Sequence, residues 1–308
     1  MKAMTYERFG DSSELSLTEQ PLPKVGPGEV LVKVHAAGIN PVDWKAMSGG
    51  LDPMIETQFP AIPGWDVAGT VAAKGIDSPG FEEGDEVIAY ARKDWIHGGT
   101  FAEYVSVPLR ALARKPHNLT WEQAAGLPLA GLTAYQVLTR SDLEEGSTVL
   151  IHGASGGVGS MGVQIAVAAG ARVIGTASAK NHDYLRQLGA EPVEYGEGLV
   201  DRVRELAPDG VDIVADFVGG VLDVTLEVLA EGGTHASIAD PEVEKQGGAW
   251  MWVVPDAEDL AELGELVERG RLTVRVDSVF PLDRLPQAFE KSQEGRTVGK
   301  IVLQVSGD

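Results

Sequence analysis

The segment TVLIHGASGGVGSMGVQIAVAA, residues 148–169, constrains the fold most. An aliphatic run runs into a glycine-rich turn and then into a stretch of small and apolar residues, which is the strand–turn–helix opening of a βαβ unit. The pattern repeats downstream. ARVIGTA (171–177) is a second strand, DYLRQLGA a helix ended by Gly189, EPVEY (191–195) a third strand and VDIVADFVG (211–219) a fourth. VTLEVLAEGG is a further glycine-stopped helix, followed by THASIA (234–239) and AWMWVV (249–254) as fifth and sixth strands. Six strands alternating with helices predict an α/β fold with a doubly wound, Rossmann-type parallel sheet.

The chain ahead of this region has a different texture. VLVKVHAAGIN, DVAGTVAAKG, DEVIAY and GGTFAEYVSVP are short β-like runs separated by turns, the last read as a strand pair, which together predict a β-rich barrel. LTWEQAAGLPLAGLTAYQVLTR, 119–140, changes to helical period with an interruption at Pro128. After a helix near residues 255–269, LTVRVDSVFPL and GKIVLQV return to β texture. The expected domains are therefore 1–121, a β-rich first segment; 122–262, the parallel-sheet domain; and 263–308, a return segment that completes the first. A length of 308 residues with 44% hydrophobic content supplies two such cores.

Composition removes several function classes. The absence of cysteine excludes disulfides, thiolate nucleophiles and cysteine-ligated metal. A net charge of −21 disfavours nonspecific binding to nucleic acid or to an anionic membrane. MKAMTYERFG carries no apolar leader and no run suits a bilayer span, so a cytoplasmic protein is expected.

The turn at 153–159 satisfies two incompatible patterns. Gly153-Ala-Ser155-Gly-Gly157 is the G-x-S-x-G elbow of hydrolases, and HGGT (97–100), Asp216 and His235 offer it an oxyanion loop, an acid and a base. The same residues, Ala154-Ser155-Gly156-Gly157-Val158-Gly159, form a dinucleotide fingerprint with alanine in its first place. The hydrolase reading is the weaker, because HGGT lies in the β-rich part rather than on a connection of the same sheet. The dinucleotide reading explains more residues by one requirement. Gly156 and Gly157 let backbone N–H groups reach a pyrophosphate, and Gly159 lets the helix pack on its strand. Ser155 is then a phosphate hydrogen-bond donor, a helix N-cap, or both.

The choice of dinucleotide follows from the end of the second strand. An NAD-binding domain places an acid there for the ribose hydroxyls. Here that position is Ala177, followed by Ser178 and Lys180, a small donor and a cation suited to a 2′-phosphate, with Tyr195 placed to close over the same group. The cofactor expected is NADPH.

Taken together, AGINPVDWK, PGWDVAGTV, GDEVIAY, GGTFAEYV, AAGLPLAGLTAYQVL and VLIHGASGGVGSMGVQIA resemble the medium-chain dehydrogenase/reductase superfamily, and within it the zinc-free quinone oxidoreductase branch. The resemblance covers essentially the whole chain. It implies a GroES-like catalytic barrel, split in sequence around the Rossmann domain, with the active cleft between them. Zinc-dependent relatives carry cysteine where Asn40 stands and histidine where Trp65 stands, so no metal is expected. The resemblance places Asn40 and Asp43 in the cleft, Thr133 near the nicotinamide, and Val218, Gly219 and Ile238 under its ring. It brings Arg296 and Lys300 toward the cofactor phosphate from the returning tail. Asn40 and Asp43 also suit the cap of a turn after Pro41, and Thr133 a helix cap.

Where some relatives carry tyrosines, this chain has Lys45 and Leu51, so Lys45 is the candidate hydrogen-bond donor to an acceptor oxygen and solvent the competing proton source. Trp44, Tyr90 and Trp95 are candidates to shape the acceptor pocket. The expected activity is hydride transfer from NADPH to a quinone or related conjugated carbonyl. The alternatives are an enone or enoyl-thioester double-bond reductase, which needs a proton delivered to carbon, and a noncatalytic NADPH-binding module. The apolar sixth strand suggests pairing across a twofold axis in a homodimer or higher homo-oligomer.

Overall fold

A computed structural model describes residues 1–306 of the chain. They form two compact units. One comprises Met1–Leu132, Pro255–Arg269 and the segment from Val274 onward; the other comprises Thr133–Val254 with Gly270–Thr273.

The first unit opens with an antiparallel ribbon of β1 (Lys2–Thr5) and β2 (Ser16–Glu19). Its centre is β3 (Glu29–Ile39), the VLVKVHAAGI run, followed directly by helix α1 (Pro41–Met47). Val30, Val32 and Val34 are fully buried, whereas Lys33 is exposed. β4 (Thr57–Ile62), β5 (Asp66–Lys74), β6 (Glu86–Tyr90), β7 (Ile96–Gly98), β8 (Tyr104–Pro108) and β9 (Leu112–Arg114) follow. β3 pairs antiparallel with both β5 and β8, and β5 continues through β6 to β9. Only the second half of GGTFAEYVSVP is a regular strand; Ala102 ahead of it makes a single bridge to Ala3. Helix α2 (Trp121–Ala125) begins in a reciprocal capping box, with the Thr120 Oγ1 accepting from the Gln123 N–H at 3.3 Å and the Gln123 Oε1 accepting from the Thr120 N–H at 3.1 Å. Pro128 then starts α3 (Pro128–Thr139).

The second unit is a six-stranded sheet, every pair of it parallel. Its elements are β10 (Thr148–His152), α4 (Gly157–Ala168), β11 (Arg172–Thr176), α5 (His182–Gln187), β12 (Glu191–Val193), α6 (Leu199–Leu206), β13 (Val211–Asp216), α7 (Leu222–Val228), β14 (Leu229–Ser237) and β15 (Ala249–Trp250). The order β12-β11-β10-β13-β14-β15 is the doubly wound order, reversing at β10. Three details differ from the sequence reading. α6 was not anticipated; its buried Leu199 and Val203 sit one turn apart and complete the core with Leu150, Ile174 and Val214. α7 ends at Val228, and LAEGG belongs to β14, because these residues pair with β13 from Leu229 onward. The sixth strand is two residues long, and the chain leaves the sheet after Trp250.

Helix α8 (Ala257–Glu268) belongs wholly to the first unit, whereas the sequence reading divided it at 262. Its buried stripe of Leu260, Leu263 and Val267 requires an apolar partner, and the Asn118 Nδ2 donates to the Val267 carbonyl at 2.9 Å. β16 (Val276–Pro281), α9 (Leu285–Gln293) and β17 (Lys300–Gln304) complete the chain's elements. β17 pairs antiparallel with β3, Ile301 opposite Ile39, and so enters the first unit beside the strand that precedes α1.

Candidate active site

A buried polar network lies where β3, α1, β5 and β17 meet in the first unit. Asn40 ends β3 and caps α1, and its backbone N–H donates to the Asp43 Oδ2 at 2.8 Å. The same asparagine reaches across the sheet, its Nδ2 donating to the Asp66 Oδ2 at 2.8 Å. The other Asp66 oxygen accepts the Leu129 N–H at the start of α3, also at 2.8 Å. The Lys300 Nζ donates to the Ile39 carbonyl at 3.0 Å and to the Asn40 Oδ1, and stands 3.9 Å from the Asp66 Oδ2. Gly38 is required here: a Cβ on it would stand 2.3 Å from the Ala125 carbonyl and 3.1 Å from the Asp66 Oδ2. Asn40, Asp43, Asp66 and Lys300 are all at most 4% exposed.

Charge counting decides the protonation of this network. One ammonium faces two carboxylates away from water, and a second buried carboxylate without a counterion is more stable holding a proton. Asp66 has the ammonium and two N–H donors. Asp43 has one backbone donor, and its Oδ1 is buried without a hydrogen-bond partner. Burial accordingly pushes the Asp43 carboxyl up to about 8, the Asn40 N–H opposing and the Asp66 charge adding to the shift. Asp66 is raised less, to about 6, because Lys300 and its N–H donors offset the burial. Burial lowers Lys300, with the two carboxylates opposing. Burial therefore favours the neutral form of Asp43, with Oδ2 accepting the Asn40 N–H. The Tyr6 and Tyr90 hydroxyls are also buried and unpartnered, and both titrate high, mainly through burial.

The second unit carries a glycine cradle at the N-terminus of α4. The helix is 12 residues long, its N-cap is Gly156, and its first-turn N–H groups have no intrahelical acceptor. Gly153 adopts φ +71°, and a Cβ there would stand 2.5 Å from the Val218 Cγ1. A Cβ on Gly159 would stand 2.2 Å from the Gly153 carbonyl, so close packing of helix on turn needs glycine. The Ser155 Oγ accepts from the Asn181 Nδ2 at 3.1 Å, leaving its own O–H free to donate. Because Gly156 is the N-cap, the capping role expected of Ser155 falls to its neighbour. Beyond β11, Ala177 is buried, Ser178 opens a short turn, and Lys180 and Tyr195 are exposed. These residues fit a dinucleotide pyrophosphate on the helix terminus and a phosphorylated ribose at the end of β11.

Three strand ends lie in register beside the reversal point, His152 opposite Asp216 and Asp216 opposite Ser237. The Asp216 Oδ1 accepts the N–H groups of Val218 and Gly219, each at 2.9 Å. Its Oδ2 accepts the Ser237 hydroxyl at 2.7 Å, and the Ser237 Oγ accepts the N–H groups of Ala239 and Asp240 at 3.1 and 3.0 Å. Burial holds His152 neutral, its pKa lowered to about 4 against the opposing pull of Asp216.

With both constellations described, comparison with known proteins becomes informative. Residues 26–117 match the alcohol dehydrogenase GroES-like domain and residues 188–303 the zinc-binding dehydrogenase domain. The chain is 34% identical to an NADPH-dependent alkenal/one oxidoreductase of Arabidopsis thaliana, over 98% of this chain and 79% of the relative. It is 32% identical to quinone-oxidoreductase QR1 of Triphysaria versicolor, over 99% and 98%. This chain belongs to the medium-chain dehydrogenase/reductase superfamily, in its zinc-free quinone oxidoreductase branch. The solved quinone oxidoreductase of Coxiella burnetii superimposes on this medium-chain reductase with a TM-score of 0.86 at 34% identity, covering 99% of each chain.

Among the described residues no group of three His, Asp or Glu side chains is arranged to hold a metal. The hydrolase reading finds no triad. Ser155 is engaged by Asn181, Asp216 by Ser237 and two backbone amides, and the buried His235 Nε2 has no partner.

Lys300, expected near the cofactor phosphate, is instead buried and engaged with Ile39, Asn40 and Asp66 in the first unit; its ammonium completes the acid network. Arg296 is exposed in the loop after α9. Thr133 is buried in the middle of α3 rather than capping a helix. Lys45 is exposed, with its ammonium 5.6 Å from the centre of the Trp44 ring. The Trp44 Nε1 donates to the Ser292 Oγ at 3.2 Å, Trp95 is exposed, and Tyr90 is wholly buried and presents no surface to a ligand. Val218 is exposed, and Ile238 is half-buried with its N–H donating to the Asp216 carbonyl at 3.1 Å. Sequence reasoning missed Asp66 and Asn181. A carboxylate opening the apolar run DVAGTV was the visible signal for the first; nothing local marked the second.

Proposed function

We propose that this medium-chain reductase transfers hydride from NADPH to a quinone or related conjugated carbonyl. The observation that carries the cofactor choice is the end of β11, where Ala177 and Ser178 stand in place of a ribose-binding acid and Lys180 projects into solvent two residues on. Relatives named as an NADPH-dependent alkenal/one oxidoreductase and a quinone oxidoreductase support the same reading. The cofactor, when bound, supplies the hydride. The chain supplies the rest. The N–H groups opening α4, with the Ser155 hydroxyl, bind the pyrophosphate; Ser178, Lys180 and Tyr195 bind the 2′-phosphate; the Val218–Gly219 and Ile238 loops orient the ring.

In the first unit, burial favours the neutral form of Asp43 and the Lys300–Asp66 pair holds Asn40 in place. The relative named as an NADPH-dependent alkenal/one oxidoreductase favours a second reading, reduction of an activated carbon–carbon double bond in an enone, which consumes a proton at carbon. We further propose that β15, at the sheet edge and with Trp250 exposed, pairs with its counterpart in a homodimer.

Titration with NADPH and NADH, followed by addition of a quinone or an enone while nicotinamide absorbance is recorded, tests the proposal. NADPH-selective binding with acceptor-dependent oxidation is the expected result. Faster enone turnover selects the double-bond reductase, cofactor binding without oxidation of any acceptor leaves a binding module, and binding of neither cofactor refutes the reading.

A further inference from the structure

The hydrogen bonds around Asp216 join the two loops that follow the paired strands β13 and β14. The loop after β13 hangs on the Asp216 Oδ1 through two N–H groups, and the loop after β14 hangs on the Ser237 Oγ through two more. One side-chain bond, from the Ser237 hydroxyl to the Asp216 Oδ2, connects the halves, beside the backbone bond from the Ile238 N–H to the Asp216 carbonyl. Both loops leave the carboxyl ends of strands next to the reversal of strand order, the position at which open parallel sheets bind ligands. Val218 lies over the glycine cradle, with its Cγ1 2.5 Å from where a Cβ on Gly153 would stand.

We infer that Asp216 and Ser237 are positioning residues for hydride transfer: acting as one unit, they set the spacing of the two loops on which the nicotinamide ring rests. The inference rests on the NADPH reading. Neither side chain touches the cofactor; each fixes backbone that does. The connecting bond has a direction that substitutions can isolate. Asp216→Asn retains an acceptor for Val218 and Gly219 but cannot accept the Ser237 hydroxyl. Ser237→Ala removes the same link from the other side, together with the acceptor for Ala239 and Asp240. Loosening one loop displaces the ring by a fraction of an ångström while leaving the pyrophosphate and 2′-phosphate contacts intact.

The test uses the full chain and two cofactor probes, NADPH and 2′-phospho-ADP-ribose, which lacks the nicotinamide. Asp216→Asn and Ser237→Ala are each expected to lower kcat roughly ten- to a hundred-fold, because reacting atoms are misplaced. The double variant should be no worse than the more impaired single, since both break one link. The primary isotope effect with 4-deuterated NADPH should rise as the chemical step becomes limiting. Affinity for 2′-phospho-ADP-ribose should remain that of wild type, which a general loss of structure would not allow. Variants that match wild-type kcat overturn the positioning role while leaving the NADPH reading intact, as does a fall in 2′-phospho-ADP-ribose affinity parallel to the fall in kcat. A wild-type chain that oxidises NADPH with no quinone or enone refutes the functional reading itself.

Discussion

Replacing Asp43 by asparagine tests the protonation of the buried network without changing its shape. In the neutral acid, Oδ2 accepts the Asn40 N–H at 2.8 Å and Oδ1 carries the proton. An asparagine carbonyl takes the first role and its amide occupies the second place. Folding raises the Asp43 carboxyl from 3.8 to about 8, so between these values the folded chain binds a proton that the unfolded chain has released. Stability therefore falls as pH rises through that window. The limiting slope is about 1.4 kcal/mol per pH unit, or roughly 3 kcal/mol between pH 5 and pH 7. Asp66, raised to about 6, titrates in the same window in both proteins and largely cancels from the comparison. Urea unfolding of wild type and Asp43→Asn at pH 5, 6 and 7 should show the variant gaining roughly 3 kcal/mol relative to wild type across the range. Parallel pH dependences would refute the assignment, because they would mean that Asp43 is ionised in the folded chain throughout.

Lys180→Ala should weaken NADPH about tenfold and leave NADH unchanged in direct titration, as expected for loss of one charge-assisted contact to a phosphate. Gly159→Ala places a Cβ 2.2 Å from the Gly153 carbonyl and 2.7 Å from the Ala154 Cα, so calorimetric titration should find NADPH binding abolished. Ser155→Ala should cost about fivefold in NADPH affinity, close to the worth of a single hydrogen bond, and an esterase assay should find no activity to lose in either protein.

The sheet of the second unit was legible because its signals are local. β10, β11 and β13 are short β-branched runs, and glycines such as Gly170, Gly189 and Gly210, all with positive φ, mark where elements end. α6 escaped because it is only eight residues long, although Leu199, Val200, Val203 and Leu206 already follow helical spacing. The cofactor cradle was legible for the same local reason: close approach forbids side chains at consecutive positions of one turn. The acid network was only half legible. Asn40 and Asp43 share a turn, but their partners Asp66 and Lys300 lie 26 and 260 residues from Asn40, and no local pattern relates them. Lys300 shows the cost of that blindness. A lysine near the end of a chain reads as a surface cation, and only the β17–β3 pairing turns it inward.

The same pairing sets an order on biosynthesis. Asn40 leaves the ribosome 260 residues before Lys300, an interval of about 13 to 50 s at ordinary translation rates. Throughout it the β3 edge that will receive Ile301, Val302 and Leu303 is unpaired along Ala36–Ile39, and Asp66 lacks its cation. Residues 133–254, by contrast, are nearly self-sufficient, needing only 270–273 from later in the chain, and can condense while the barrel waits. The nascent chain thus acquires its nucleotide-binding half before its acid chemistry, and the barrel is the part that calls for a chaperone's protection.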